Sequence, residues 1–207
     1  MTYIYHITHL RNLESILESD RIWCDNEIQT RSIETQGIAY EAIKERRSRR
    51  PVPTCKQGHL SDYVPFYFAP RSPMLYAIYS GMIESYREGQ DSVLHLVSKI
   101  GTVAENKLSF TFTNGHAEMM PTEFYESLDD LDKIDWDLMK SKFWFDTLED
   151  INRKWRRQAE FLVHNHFPVE FIAGIGVISE ETKSEVETIL KVSGKKITVA
   201  VLPQWYY

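Results

Sequence analysis

The periodicity of the chain changes within a few residues of Gln158, and that change decides how the last third is built. Upstream and across it, Ile151, Trp155, Ala159 and Leu162 recur at helical spacing. Downstream, Ala159, Phe161 and Val163 alternate with Glu160, Leu162 and His164, as in a half-buried strand. A helix is therefore expected to give way to a strand beside Gln158. Glu160 then stands at the mouth of that strand, on the face opposite Phe161 and Val163. A carboxylate held there by rigid backbone can steady developing positive charge in a cleft. An edge-strand ion pair with Arg156 or Arg157 explains the same spacing.

Composition sets the scale. A chain of 207 residues, 43% hydrophobic and 13% aromatic, can bury a substantial core, and residues 1–207 are read as one domain. The 24 Lys and Arg against 30 Asp and Glu leave a net charge of −6, which argues against wholesale wrapping of nucleic acid but not against a local basic cleft. No apolar run approaches the roughly 18 residues that span a bilayer. The start, Met-Thr-Tyr-Ile-Tyr-His, lacks the basic and apolar regions of a signal peptide, so a cytoplasmic protein is expected. Cys24 and Cys55 are too few for a disulfide framework and read as reduced thiols.

Taken in order, Thr2 to Thr8 reads as a strand with Tyr3, Tyr5 and Ile7 on one face and Ile4, His6 and Thr8 on the other. His6 and Thr8 side by side can grip an amide and a ribose hydroxyl. A His satisfied by a nearby backbone carbonyl is the plainer reading. Leu10, Leu13, Ile16 and Leu17 mark a short helix ending at Ser19-Asp20, followed by a strand around Ile22 and Trp23. Ser15 and Trp23 border the same cleft or are ordinary packing. Asp25 to Gly37 is polar and aperiodic, hence a mobile loop. The next helix carries Ile38, Ala39, Ala42 and Ile43 on one stripe and runs into Lys44, Arg46, Arg47, Arg49 and Arg50. Continued phase turns Arg46 and Arg50 inward and leaves Arg47 at the edge. Arginines at a cleft rim bind pyrophosphate or a nucleic-acid backbone bidentately; a solvated basic helix end is the alternative.

Aromatic density peaks at Tyr63 to Tyr79. Val64, Phe66 and Phe68 alternate as a strand, and Ser72 followed by Pro73 signals a helix start. Tyr67 and Tyr76 can approach across that turn and sandwich a planar ring, or simply pack in the core. Ser92 to Ser98, Leu108 to Thr113, Phe171 to Ser179 and Lys196 to Leu202 read as further strands, and Glu180 to Val192 as an amphipathic helix. Acidic residues concentrate between Glu126 and Asp150, which leaves Lys44 to Lys56 as a separate basic patch. There is no G-x-G-x-x-G and no phosphate-binding P-loop. A zinc site built from Cys24, Cys55, His59, His164 and His166 is conceivable, yet no Cys-x-x-Cys pair exists, and no metal is expected.

His6 and Thr8 on the first strand, Tyr67 to Ala69 with Ser72 and Tyr76, and Glu160 opening a late strand resemble the His, Tyr, Glu arrangement of diphtheria-toxin-like ADP-ribosyltransferases. More closely, Tyr5-His-Ile-Thr-His, Glu45-Arg-Arg, the run from Asp62 to Gly81, Leu94-His-Leu-Val-Ser, Gln158-Ala-Glu-Phe-Leu-Val and the terminal Trp205-Tyr206-Tyr207 resemble the DarT family, toxins that ADP-ribosylate DNA. The resemblance implies an α+β ADP-ribosyltransferase fold of two packed mixed or antiparallel sheets with flanking helices and a large recognition loop. It implies NAD as co-substrate, held by His6, Ile7, Thr8, Ser15 and Trp23, with Arg47 and Glu160 catalytic. Tyr67, Ser72 and Tyr76 complete the expected NAD set, and Lys44, Arg46, Arg49 and Arg50 are expected on phosphates. Residues from about Asp25 to Arg49 would form an NAD-binding element, with a polar insertion near Glu34 to Gln36, and those from about Gly115 to Glu160 the substrate loop. The acceptor implied is thymine in single-stranded DNA, attacked as an oxocarbenium-like centre forms. A macrodomain antitoxin of the DarG type is the implied partner. Transfer to RNA or protein, or an inactive nucleic-acid-binding module, are the competing readings.

Overall fold

The structure is a computed structural model that describes residues 2–207. Its strands are β1 (Tyr3–His9), β2 (Arg21–Trp23), β3 (Tyr63–Tyr67), β4 (Val93–Lys99), β5 (Phe110–His116), β6 (Phe124–Tyr125), β7 (Ala159–His164), β8 (His166–Pro168), β9 (Gly174–Val177) and β10 (Val199–Val201). The helices are α1 (Leu13–Glu18), α2 (Asp25–Thr30), α3 (Glu41–Arg47), α4 (Pro73–Tyr79), α5 (Ile100–Glu105), α6 (Trp136–Lys140), α7 (Arg153–Arg157) and α8 (Glu180–Ser193). Eight strands run in the order β10-β9-β4-β1-β3-β7-β5-β6, and β2 pairs separately with β8.

The large sheet consists of two halves joined at a seam. β1 pairs with β4 from Tyr3↔Lys99 to His9↔Val93, and β3 with β7 from Tyr63↔His164 to Tyr67↔Glu160. Between β1 and β3 there is a single register pair, Tyr5↔Tyr67. The next antiparallel partner of Ile7 would be Pro65, which has no N–H to donate. The Pro65 carbonyl is instead taken by His6 Nδ1 at 2.9 Å. The ladder stops there, so the expected α+β architecture is present with one large mixed sheet, in two halves tied at one point, where two packed sheets were expected.

Aliphatic and aromatic side chains of β1, β3, β4 and β7, including Ile4, Val64, Phe66, Leu96 and Phe161, form the main core with α1 and α8. On the other side Ile7, Leu75, Ile78, Ile83, Val93 and Tyr206 form a second cluster around α4. Ser72 starts α4 by accepting from Leu75 N at 3.1 Å, with Pro73 in the first turn. Gly194, at φ 70°, ends α8 in the left-handed conformation that glycine adopts without strain. Gly176 matters for a different reason: a Cβ there would meet the Trp205 ring at 2.6 Å, so the C-terminal aromatics need a bare backbone to lie on β9.

Several expectations about local structure are corrected. The polar stretch after Asp25 contains α2, because tertiary polar contacts replace the missing apolar stripe: Asn26 Nδ2 donates to Asp62 Oδ1 at 2.8 Å and Asn165 Nδ2 to Glu27 Oε1 at 3.0 Å. The helix expected from Ile38 begins at Glu41 and ends at Arg47. The later start removes Ile38 and Ala39 from the stripe and corrects the phase read from sequence: Arg47 is buried, and Arg46 and Arg49 are exposed. Ile151, counted in the helical stripe before Gln158, precedes α7 and is 71% exposed. The strand expected over Phe171 to Ser179 is shorter, beginning at Gly174 after a single helical turn.

His95, in the middle of β4, is wholly buried, and its Nε2 donates to the Pro70 carbonyl at 3.0 Å. Burial pushes its pKa down to about 4, against a weaker opposite pull from that carbonyl. The unfolded chain takes up this proton near pH 6.5, so the stability held by neutral His95 is complete above that pH and is lost as pH falls towards about 4. Urea midpoints are expected to drop between pH 7 and pH 5. The drop shrinks in His95→Gln, the full effect being worth about 3 kcal/mol.

Candidate active site

A cavity of about 650 Å³ opens where the β1–β3 ladder stops. His6, Ile7 and Thr8 line it from β1, Ser15 from α1 and Trp23 from β2. Lys44 and Arg47 reach it from α3, Tyr67 from β3, Tyr76 from α4 and Glu160 from β7. Residues 35–40, the stretch before α3, close one side.

Glu160 is 4% exposed, and both carboxylate oxygens are engaged. Oε2 accepts from Arg47 Nη1 at 2.8 Å, and Oε1 accepts from the Ala117 backbone N–H at 3.2 Å. The second contact exists because the β5–β7 register shifts between Phe112 and His116. Through this bulge the Glu160 backbone N–H donates to Thr113 Oγ1 at 3.0 Å, while the Thr113 hydroxyl donates to the Gly115 carbonyl at 2.8 Å. A buried carboxylate without such donors costs several kcal/mol. The ion pairs with Arg156 and Arg157 do not form. Arg156 binds Asp150 and Asp135, and Arg157 donates to the carbonyls of Arg71 and Met139. Burial opposes the charge of Arg47, but the Glu160 carboxylate outweighs it and the pKa is raised. Arg47 Nη2 is buried without a partner, a donor left for something that enters the cavity.

His6 fulfils both readings of the first strand. Its bond to Pro65 fixes the proton on Nδ1, since a carbonyl only accepts, and its ring still lines the cavity. Burial holds its pKa below the usual value, so the ring is neutral at pH 7. Thr8 Oγ1 accepts from Asn12 Nδ2 at 3.1 Å. Asn12 also accepts from Gln36 N at 2.7 Å and donates to Gln36 O at 3.0 Å, tying the loop before α3 to β1.

The aromatic side is less symmetrical than a sandwich. Tyr67 and Tyr76 line the same cavity, but Tyr76 packs edge-on against Tyr207 at 5.1 Å and Phe145 at 5.1 Å. The Tyr67 hydroxyl points to Met74 Sδ at 3.6 Å, and burial together with the Glu160 charge raises its pKa. Trp23 carries the Arg31 guanidinium over its ring at 4.1 Å. Ser72 is corrected from the expected NAD set: it is 1% exposed, caps α4 and does not line the cavity. Arg46 pairs with Glu118 outside the cavity, Arg49 with Glu45 at 2.6 Å in solvent, and Arg50 donates to Met119 O at 3.4 Å. Among the described residues no group of three or more His, Cys, Asp or Glu could hold a metal ion.

The sequence places His116 and Ala117 only within the expected substrate loop and Gln36 only within the expected NAD-binding element, with no individual role, and does not single out Asn12. No spacing rule marks a bulge that offers one backbone N–H. The only local cue is Thr-Asn-Gly-His, where Gly115 has the Trp155 indole against its Cα.

The family model described as ssDNA thymidine ADP-ribosyltransferase, DarT, matches residues 5–207. A DNA ADP-ribosyl transferase of Thermus sp. strain 2.9 is 42% identical over 208 residues, covering 100% of this chain and 96% of the relative. The solved structure of Thermus sp. 2.9 DarT in complex with ADP-ribosylated ssDNA matches with a TM-score of 0.93 at 42% identity, over 100% of this chain and 96% of that one. That of Thermus sp. 2.9 DarT in complex with NAD+ matches at 0.90 and 39%, over 100% and 98%. A DNA ADP-ribosyl transferase-DNA ADP-ribosyl glycohydrolase fusion protein of Thermosipho africanus is 24% identical over 99% of this chain and 49% of the fusion. With an acid, an arginine and a first-strand histidine in one cavity and a family match running nearly end to end, the chain belongs to the DarT family of single-stranded-DNA thymidine ADP-ribosyltransferases.

Proposed function

We infer that this protein transfers ADP-ribose from NAD to a thymine base in single-stranded DNA and releases nicotinamide, the whole chain acting as one domain. The observation that carries this reading is the meeting of Glu160, Arg47 and His6 in one cavity, within the family match. The cavity volume lies in the usual range for small-ligand sites, about 300–1,000 Å³. The orphan Nη2 of Arg47 fits an anionic or hydroxyl-bearing ligand.

His6, Ile7 and Thr8 hold the nicotinamide and its ribose, with Ser15, Trp23, Tyr67 and Tyr76 completing the walls. Ser72 contributes by starting the helix that carries Tyr76. Glu160, preset by Arg47 and the Ala117 N–H, steadies the positive charge that develops on the ribose carbon as nicotinamide leaves with the bonding electrons. Its hydrogen bonds are in place beforehand, so no reorganisation is needed during the reaction. The thymine ring nitrogen forms the new bond to that carbon, and its proton passes to the Glu160 carboxylate and on to water. A base reaches the site only from unstacked DNA, which accounts for a single-stranded substrate. Lys44, Arg46, Arg49 and Arg50 line the approach for phosphates. A macrodomain antitoxin of the DarG type is the proposed partner, a reading supported by the fused transferase–glycohydrolase relative. No helix of the described residues is long and apolar enough to cross a membrane, and the cytoplasm, where NAD and DNA meet, is the proposed site of action.

Incubation with NAD and separate DNA, RNA and protein pools, followed by mass measurement, is expected to show one added ADP-ribose on thymine-containing DNA alone. Label on RNA or protein instead rejects the acceptor. Glu160→Gln and Arg47→Ala are each expected to lose at least about 100-fold in rate, read as modified oligonucleotide per unit time. Arg47→Met strands a buried carboxylate and is expected to cost about 3 kcal/mol or more in urea unfolding, whereas Arg47→Met with Glu160→Leu is expected to be nearly neutral. Arg49→Ala is expected to weaken binding of all single strands alike and to lower the slope of log affinity against log salt by about 0.7.

A further inference from the structure

Residues 34–39 carry no helix or strand, yet the part from Thr35 to Ala39 walls the cavity just before α3 begins. The apolar anchor of this strap is Ile38, buried in the cluster with Ile7 and Leu75. Its polar anchorage is concentrated on one residue. Among the described residues, every hydrogen bond from residues 34–39 to the rest of the protein is made by Gln36, with Asn12 and Arg11.

Asn12 ends the short turn Leu10–Asn12 that joins β1 to α1, and it occupies the N-cap position of α1. An asparagine there ordinarily accepts from a first-turn N–H. This one makes no such bond, and its amide is directed instead to a partner 24 residues away. A backbone N–H only donates and a carbonyl only accepts, so Oδ1 faces Gln36 N and Nδ2 faces Gln36 O. The other Nδ2 proton goes to Thr8 Oγ1, and the Thr8 hydroxyl keeps its own proton to donate. Asn12 is buried, which shields these bonds from water. The tie from Arg11 is weaker: its Nη1 donates to Gln36 Oε1 at 3.2 Å and pairs with Glu88 Oε1 at 3.1 Å, but the side chain is 63% exposed and such pairs contribute little.

We propose that Asn12 is a positioning residue that latches the strap over the cavity and thereby sets how long NAD stays bound. The proposal rests on the NAD-dependent reading above, and it gives Asn12 no contact with the reacting atoms. With no other buried polar tie on residues 34–39, the closed population of the strap follows the two Asn12–Gln36 bonds. Without them the Gln36 N–H and carbonyl need water, which reaches them as the strap lifts. Apparent affinity falls with the fraction of molecules whose strap is closed. The chemical step is insulated from this, because Glu160 is held by Arg47 and the Ala117 N–H, neither of which bonds to the latch.

The test measures binding and release of carba-NAD, which resists transfer, together with the NAD dependence of oligonucleotide modification. In Asn12→Ala the Kd is expected to rise on the order of 30-fold, the loss of two hydrogen bonds, mainly through faster release. KM for NAD rises with it, while kcat at saturating NAD falls by less than about threefold. Asn12→Asp keeps an acceptor for Gln36 N but sets a carboxylate against the Gln36 carbonyl, so it is expected to match Asn12→Ala. Arg11→Ala is expected to change the Kd by less than about threefold. Hydrogen exchange of the Gln36 amide, slow in wild type, is expected to become fast in both Asn12 variants. A Kd within about twofold of wild type beside a lowered urea midpoint makes Asn12 purely structural and overturns the proposal. So does a loss confined to kcat. Should the Asn12 variants not fold, Gln36→Pro removes the strap N–H and leaves Asn12 in place: it is expected to weaken carba-NAD binding too, and a wild-type Kd there overturns the latch. Wild type that binds no carba-NAD at all defeats the NAD-dependent reading itself, an outcome distinct from these.

Discussion

A charged arginine and a charged glutamate sit together in the protein interior, and much of the surrounding structure serves to make that tolerable. Arg47 and Glu160 are 113 residues apart in sequence, and each is buried. Removing two charges from water costs more than their attraction returns unless the remaining lone pairs and protons find partners. On the acid the partner is the Ala117 N–H, which requires the bulge in β5 and the Thr113 hydroxyl that takes over the displaced Glu160 N–H. On the arginine one nitrogen has no partner, so the pair is not optimised for stability. The incompleteness is local and faces the cavity, where a ligand group can complete it.

The seam at Tyr5↔Tyr67 gives that pair a place to work. A continuous ladder between β1 and β3 would fill the cleft with backbone hydrogen bonds. Pro65 prevents this by lacking a donor, and His6 satisfies the carbonyl that is left over. One proline thus determines both where the sheet opens and how the first-strand histidine is oriented. Tyr67 belongs to both halves, pairing with Tyr5 on one side and Glu160 on the other, so the walls of the cavity are registered to each other through a single residue.

What was readable in the sequence follows from the range of the interactions involved. The helix-to-strand switch at Gln158 and the start of α4 at Ser72-Pro73 are local, and both are where the periodicity and capping rules put them. The resemblance supplied the conjunction of His6, Arg47 and Glu160, which no local pattern contains. Helical phase misplaced Arg46 and Arg47 because two of the residues that set the stripe, Ile38 and Ala39, lie before α3 begins. α2 escaped notice for a similar reason: its ties to Asp62 and Asn165 lie 36 and 138 residues away. The Ala117 N–H was invisible because its contribution is backbone geometry.

The pairing of His116 with Ala159 also bears on how such a protein can change. The segment between them leaves β5 at His116, adds β6 to the edge of the sheet and re-enters on β7 directly opposite its point of departure. The acid is anchored at the neck, one residue past Ala159. Its outermost stretch, around Leu148 and Ile151, is solvent-exposed, so changes of length there can leave the acid in position, which gives the scaffold a natural cassette.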